Sequence, residues 1–156
     1  MGAEVERKFV IADPPADLDR WSSSHIVQRY LVVGADGFEV RLRRRDGRMT
    51  ITVKHGVGLV RSEDEFEVDL ASFERLWPMC DGISVEKRRY HVPERGHTVE
   101  VDIYEGPLAG LVTAEVEFAS ADDARSFEPQ AWMGNEVTGD PRYTNQRLAL
   151  KGRPRS

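Results

Sequence analysis

The 156-residue chain is predicted to be an α+β, mainly β protein: a closed eight-stranded antiparallel β-barrel with a charged interior and helices packed outside. Three observations predict this fold. Eight short segments alternate polar and apolar residues with a two-residue period, hairpin-like turns join many of them, and charged side chains recur on one face. Closing such a sheet removes its edges, which would otherwise pair with other chains.

The strands are predicted where the alternation is clearest: Glu4 to about Ile11, His25–Val33, Phe38–Arg45, Met49–His55, Glu63–Leu70, Val85–Val92, Thr98–Glu105 and Leu111–Phe118. Two prolines, Pro14 and Pro15, end the first strand because neither can donate a ladder hydrogen bond. Between the third and fourth strands, Asp46-Gly47 predicts a type I′ hairpin turn, which requires positive φ at both central positions.

Three helices are predicted beside these strands: Ala71–Trp77, Ser120 to about Phe127, and Thr144–Lys151. The second begins with Ser-Ala-Asp-Asp, which is typical of a capped helix N-terminus. We expect one domain over residues 1–151 and a disordered basic tail over residues 152–156.

Composition excludes several classes of protein. The net charge of −5 argues against a general nucleic-acid binder, and the single cysteine, Cys80, allows no intramolecular disulfide. Four histidines without further cysteines offer no zinc pattern. No apolar run approaches membrane length, and the N-terminal sequence MGAEVERKF is neither a signal nor a transit peptide, so a cytoplasmic location is predicted.

The predicted interior holds many charged groups of both signs. Its cations are Lys8, Arg41, Arg43, Lys54, Lys87 and Arg89, and its acids are Glu4, Glu6, Glu65, Glu67, Asp102, Glu115 and Glu117. Each ion taken from water costs on the order of several kcal/mol unless it is paired, so a binding partner is expected inside. The alternative is that these charges form exposed strand faces with weak cross-strand ion pairs.

The cations and the acids of the predicted interior indicate two different ligands. Arginine and lysine bind polyphosphate oxygens, whereas clustered carboxylates without Cys or His favour a hard divalent ion, Mg²⁺ or Mn²⁺. A polyanion and hard metals in one cavity are the components of phosphoryl-transfer chemistry.

The order of these motifs resembles the CYTH-domain family, the triphosphate tunnel metalloenzymes. The N-terminal Glu4-x-Glu6-x-Lys8 matches the signature of that family, and nearly the whole chain follows in order. The further matching segments are EVRLR (39–43), TVK (52–54), EFE (65–67), VEKRRY (85–90), VD (101–102), EVEF (115–118) and EVTGDPRYTN (136–145). Within the family the chain is most similar to short bacterial inorganic triphosphatases.

The resemblance implies a tunnel open at both ends and a role for each inward charge. The residues implied to bind phosphates are Lys8, Arg41, Arg43, Lys54, Lys87 and Arg89. The residues implied to bind metal and position the attacking water are Glu4, Glu6, Glu115 and Glu117, with Asp102 assisting. Glu65 and Glu67 would support the cations or a second metal, and Tyr30 would pair with Lys8 in the catalytic group. Two roles stay open: Glu63 is a rival to Glu65, and Arg61 is either a further phosphate contact or part of the loop surface.

The implied activity is metal-dependent hydrolysis of inorganic triphosphate to diphosphate and phosphate by in-line attack of water. The alternatives are an adenylate cyclase of class IV type, a thiamine triphosphatase of the same fold, and a non-catalytic polyphosphate-binding module. The implied partner is a small triphosphate substrate, with no nucleic acid and no membrane. Monomer and homodimer both stay open.

Overall fold

The computed structural model describes residues 2–155, which contain nine strands and three α-helices joined by 3-10 turns and loops. Met1 and Ser156, at the ends of the predicted domain and tail, lie outside the described residues. In chain order the elements are β1 (Gly2–Val10), β2 (Ser23–Val33), β3 (Glu39–Arg45), β4 (Arg48–His55), β5 (Val60–Glu67), α1 (Leu70–Leu76), β6 (Asp81–Glu94), β7 (His97–Glu105), β8 (Val112–Glu117), α2 (Ala121–Ser126), β9 (Asn135–Glu136) and α3 (Asn145–Lys151).

The eight long strands close into an antiparallel barrel, which confirms the predicted fold class. Their order is β5-β4-β3-β2-β6-β7-β8-β1, and β1 also pairs with β5 to complete the ring. Strand β1 can serve two neighbours because residues 2–5 pair with β5, whereas residues 6–10 pair with β8. The short strand β9 adds to β1 at Phe9 and Val10.

Strand β5 lies three residues earlier than predicted at each end. It begins at Val60 and ends at Glu67, and Asp69 belongs to the helix cap that follows. The Asp69 side chain accepts a hydrogen bond from the Ser72 amide and so caps the N-terminus of α1. The β3–β4 hairpin forms as predicted, but only Asp46 has positive φ (52°), so the type I′ assignment of its turn is wrong.

A β-bulge in β2 changes which side chains enter the barrel. The β2–β3 register shifts between Tyr30 and Val32, so that Val33 pairs with the inward residue Glu39. Strict alternation from Gln28 and Tyr30 would place Val33 on the outer face, but the bulge adds one residue to the strand and reverses that placement. Val33 therefore lies at one mouth of the barrel.

The larger apolar core lies outside the barrel wall. Outward side chains of β1, β7 and β8, including Phe9, Val99 and Val116, pack against residues from α2 and the segment that follows it. Phe118 and Phe127 meet edge to face in this layer, with ring centroids 5.3 Å apart. Helix α2 and the segment after it thus cover the apolar outer faces of β1, β7 and β8.

A second apolar cluster fixes the C-terminal helix. Leu148 and Ala149 of α3 pack with Tyr30, Val85 and Tyr104, which project from the inner side of the barrel. The contact is close because position 82 is a glycine with φ of 76°, where a Cβ atom would lie 2.5 Å from the Ala149 carbonyl oxygen. The last segment of the chain therefore borders one mouth of the barrel.

No helix within residues 2–155 combines the length and apolarity needed to span a membrane. Beyond α3, Arg153 donates a hydrogen bond of 3.0 Å to the Ala109 carbonyl. The division into a domain over residues 1–151 and a disordered tail over residues 152–156 stays a prediction.

Candidate active site

Two cavities, of about 420 and 460 Å³, lie inside the barrel. They share four lining residues, Arg43, Glu63, Arg89 and Glu117, and so form two ends of one passage. The first mouth is bordered by residues 33–37, by the β4–β5 loop and by the C-terminal segment from 137 to 151. The second mouth is bordered by charged side chains that include Arg45 and His91.

The deepest charged group in the barrel is an ion-paired triad. Asp102 is fully buried and accepts two hydrogen bonds from Arg89, at 2.7 and 2.8 Å. The Lys87 ammonium lies 2.7 Å from Asp102, although outside hydrogen-bond geometry. Burial lowers the pKa of Lys87 to about 7. Burial opposes ionisation of Asp102, but the charges of Arg89 and Lys87 hold its pKa below its ordinary value.

This triad sets two predicted site residues apart from the cavities. Asp102 is predicted to assist metal binding and Lys87 to bind phosphate, yet neither lines either cavity. The carboxylate of Asp102 faces its two cationic neighbours, Lys87 and Arg89.

Glu115 joins two of the predicted phosphate-binding cations. Its carboxylate lies 3.4 Å from the Lys8 ammonium and 3.3 Å from the Arg89 guanidinium. Burial opposes its ionisation, but the charges of Lys8 and Arg89 hold the pKa of Glu115 well below its ordinary value. Glu115 therefore faces cations, and among residues 2–155 its carboxylate does not join the cluster that three other predicted metal ligands form.

Three predicted metal ligands do come together. Carboxylate oxygens of Glu4, Glu6 and Glu117 all lie within 4.8 Å of one another at the cavity wall. Burial and the charges of Glu115 and Glu4 raise the pKa of Glu6 well above its ordinary value, and burial with nearby acids also raises the pKa of Glu117. Clustered oxygen donors that repel one another fit a hard divalent cation.

The cluster borders a lysine and a further acid. Lys54 lies 2.9 Å from Glu4 and 3.9 Å from Glu63. Burial opposes the charge of Glu4, but hydrogen bonding with Glu63 and the charge of Lys54 lower the pKa of Glu4 to about 2. Burial and the hydrogen bond to Glu4 raise the pKa of Glu63 to about 7.

Of the rival acids on β5, Glu63 is therefore nearest to the cluster. Glu65 is exposed and accepts a hydrogen bond of 3.2 Å from the Thr52 hydroxyl at the second mouth. Glu67 pairs with the exposed Arg48 at the rim, so the predicted support of tunnel cations by Glu67 is not formed.

Two buried guanidinium groups have only neutral hydrogen-bond partners. Arg43 donates to the Gln28 amide oxygen, and Arg41 donates to the Thr52 hydroxyl. Among residues 2–155, neither guanidinium lies within ion-pair distance of a carboxylate, and the buried Nε of Arg41 has no hydrogen-bond partner. Burial and the charges of Arg41 and Arg89 lower the pKa of Arg43 to about 9.

Tyr30 and Lys8 both line the first cavity, but they have different partners. The Tyr30 hydroxyl accepts a hydrogen bond from the Gln28 side chain. The Lys8 ammonium donates to the Tyr143 carbonyl at 2.6 Å, in addition to its contact with Glu115. The predicted pairing of Tyr30 with Lys8 is thus not formed in this structure.

Several residues at this site are not among the predicted site residues. Gln28 and Glu39 are buried on β2 and β3, and Glu100 on β7 lies 2.6 Å from Arg89. Strand alternation already placed all three beside predicted site residues, so their position was a usable signal. The Tyr143 carbonyl had no such signal, because a backbone contact across 135 residues depends on the fold alone. Arg61, left open before, lines the first cavity and lies 3.7 Å from Glu39.

A separate group of potential metal ligands lies on the outside of the barrel. His25, Glu86 and Glu105 bring ligand atoms within 4.8 Å of one another. None of the three lines either cavity, so they are not part of the candidate active site.

Comparison with known proteins gives close relatives across the whole chain. No family model matches the sequence. An inorganic triphosphatase of Nitrosomonas europaea is 42% identical over 94% of this chain and 97% of its own length. An inorganic triphosphatase of Acetivibrio thermocellus is 36% identical over 95% of this chain and 94% of its own length.

Solved structures agree with this result. Superposition on the crystal structure of an inorganic triphosphatase covers 97% of this chain and 100% of that protein's chain, with a TM-score of 0.71 and 39% sequence identity. The identity and the coverage exceed what a shared fold alone would produce, and they confirm the resemblance drawn from the charged strand motifs. The chain belongs to the inorganic triphosphatase family of triphosphate tunnel enzymes.

Proposed function

We propose that this protein hydrolyses inorganic triphosphate to diphosphate and phosphate inside the barrel, with Mg²⁺ or Mn²⁺ held by the Glu4, Glu6 and Glu117 carboxylates. One observation carries the proposal. Two buried guanidinium groups with only neutral partners, those of Arg41 and Arg43, face the same passage as this carboxylate cluster. A polyanion and a divalent cation are the ligands that satisfy both groups.

The cations of the passage bind and orient the substrate in this proposal. Arg41 and Arg43 donate to non-bridging phosphate oxygens, and their charge offsets the charge that develops on the leaving diphosphate. Lys8, held between Glu115 and the Tyr143 carbonyl, presents its ammonium to the same cavity. Fixed charges that need no rearrangement during the reaction lower its barrier.

The acids hold the attacking water. The carboxylates of Glu6 and Glu117 accept hydrogen bonds from that water and orient its oxygen toward a terminal phosphorus. As its oxygen bonds to phosphorus, the bond to diphosphate breaks, and a proton of the water passes to the medium or a carboxylate. A divalent ion, when bound, neutralises phosphate charge and lowers the pKa of water.

Product analysis tests the proposal. The purified protein is incubated with Mg²⁺ or Mn²⁺ and triphosphate, ATP or thiamine triphosphate in separate reactions, and the products are identified by ³¹P NMR and chromatography. Equimolar phosphate and diphosphate from triphosphate support the proposal. Cyclic AMP from ATP would support the cyclase, release of phosphate from thiamine triphosphate alone would support the thiamine triphosphatase, and an intact bound ligand would support a binding module. A cytoplasmic location stays a prediction, and the choice between monomer and homodimer stays open to measurement by light scattering.

A further inference from the structure

Gln28 is the one fully buried amide of the described residues that bonds directly to a cation of the passage. It lies on β2 opposite Arg43 of β3 in the strand register. Its Oε1 accepts from both Nε and Nη2 of Arg43, at 2.9 and 2.7 Å. Its Nε2 donates to the Tyr30 hydroxyl at 2.9 Å. Because arginine only donates, the amide oxygen must face Arg43 and the amide nitrogen must face Tyr30.

A neutral partner sets Arg43, like Arg41, apart from four other cations that line the first cavity. Those four face carboxylates: Lys8 faces Glu115, Lys54 faces Glu4, Arg61 faces Glu39 and Arg89 faces Glu115. A glutamate at position 28 would have nearly the same shape and would bind the guanidinium as a two-point ion pair. The glutamine holds the guanidinium in place and leaves its charge uncompensated.

The amide nitrogen of Gln28 orients the Tyr30 hydroxyl. The Tyr30 oxygen accepts the Gln28 hydrogen bond, so the hydroxyl hydrogen is left to be donated elsewhere, and Tyr30 lines the first cavity. One amide therefore presents two donors to the passage, one charged and one neutral.

We propose that Gln28 is a positioning residue that directs Arg43 and Tyr30 toward the phosphate chain and keeps the charge of Arg43 available to it. The proposal rests on the proposed function, because it takes triphosphate as the anion that Arg43 binds. Gln28 determines the affinity for triphosphate through Arg43 and does not itself contact the reacting atoms.

Calorimetric titration of inorganic triphosphate into the metal-free protein, in chelator, tests the proposal together with thermal melts of the free protein. We expect Gln28→Glu to raise the dissociation constant about tenfold or more, since an ion-paired Arg43 no longer offers its full charge. We expect the melting temperature of the free protein to stay the same or rise. A purely structural role would lower affinity and melting temperature together.

A double-mutant cycle separates pairing with Arg43 from a general effect of added negative charge. In an Arg43→Ala background, Gln28→Glu is expected to change affinity far less than in the wild type. Gln130→Glu adds the same charge outside both cavities, and Arg44→Ala removes a cation from the exposed neighbour of Arg43, so both are expected to bind as the wild type does.

The outcomes distinguish the two proposals. Failure of the wild-type protein to bind triphosphate, or full affinity in Arg43→Ala, would overturn the phosphate site itself. If Arg43→Ala weakens binding but Gln28→Glu does not, the role of Gln28 is overturned and the site stands. An equal effect of Gln28→Glu with and without Arg43 would also overturn it.

Discussion

Glu115 and Glu117 lie two residues apart on one face of β8 and have different neighbours. The register of β8 on β1 pairs Glu115 with Lys8 and Glu117 with Glu6. One carboxylate therefore meets a cation, whereas the other meets an acid. The family resemblance implies metal binding for both, and alternation cannot separate them because it gives a common face but no cross-strand partner.

This difference predicts opposite effects of the same substitution. Glu115→Gln is expected to lower the free energy of unfolding of the metal-free protein by about 3 kcal/mol, because it removes the charge facing Lys8 and Arg89. The value lies at the low end for a broken buried pair, since Arg89 retains Asp102 and Glu100. Urea denaturation measures the change.

Glu117→Gln, by contrast, is expected to leave the metal-free protein as stable or slightly more so, since it removes repulsion within the acidic cluster. Its stabilisation by Mg²⁺ with triphosphate is expected to shrink, since a ligand stabilises the native state only by binding to it. The assignment of Glu117 to metal would be contradicted if both metal-free variants lost the same free energy of unfolding and Mg²⁺ with triphosphate stabilised Glu117→Gln as much as the wild type.

Helix α3 illustrates how a short element is fixed by packing. It has seven residues, too few for a stable isolated helix, and its N-terminus is capped by the Thr144 side chain, which accepts from the Arg147 amide. Its stability therefore comes from Leu148 and Ala149, which contact the inner residues of the barrel. The helix was predictable from its cap and apolar residues, but its place at the barrel mouth was not.

Two leucines of this helix make a matched test. Leu148→Ala is expected to cost about 2–5 kcal/mol of stability, because the side chain is fully buried and its removal leaves a cavity. Leu150 on the same helix is 41% exposed, so Leu150→Ala is expected to cost under about 1 kcal/mol. Guanidinium denaturation of both variants measures the difference. Similar losses would mean that α3 does not depend on its contact with the barrel.

At the scale of the whole molecule, the charged passage and the apolar cores are separate layers. The larger apolar cluster lies between the outer barrel face and the segment from α2 onward, and the charged side chain of Arg7 stacks on its Phe9 and Phe127 rings. The passage contributes binding chemistry, and the outer layer contributes most of the burial that drives folding. Folding and ligand binding are therefore expected to separate experimentally.

Chelation tests that separation. Excess EDTA is expected to abolish triphosphate hydrolysis while the far-UV circular dichroism and the cooperative thermal transition persist, and added Mg²⁺ is expected to restore activity. The reason is that the acidic cluster lies in the passage, away from the outer core. Hydrolysis at full rate in EDTA would contradict the metal role, and unfolding in EDTA would contradict the separation of layers.

By itself, the sequence determined the barrel, the inward face of most strands and the family. These follow from local alternation and from motif order, since a strand places every second side chain on the same face whatever its neighbours are.

Only the tertiary structure decided which charges meet. The burial of Asp102 between Lys87 and Arg89, the amide bridge from Gln28 to Arg43 and the inward turn of Val33 depend on strand register and on one bulge. Register is set by the packing of the whole sheet, and the Tyr143 carbonyl reaches Lys8 only because distant segments converge on one mouth of the barrel. Long-range contacts of this kind leave no periodic trace in the sequence.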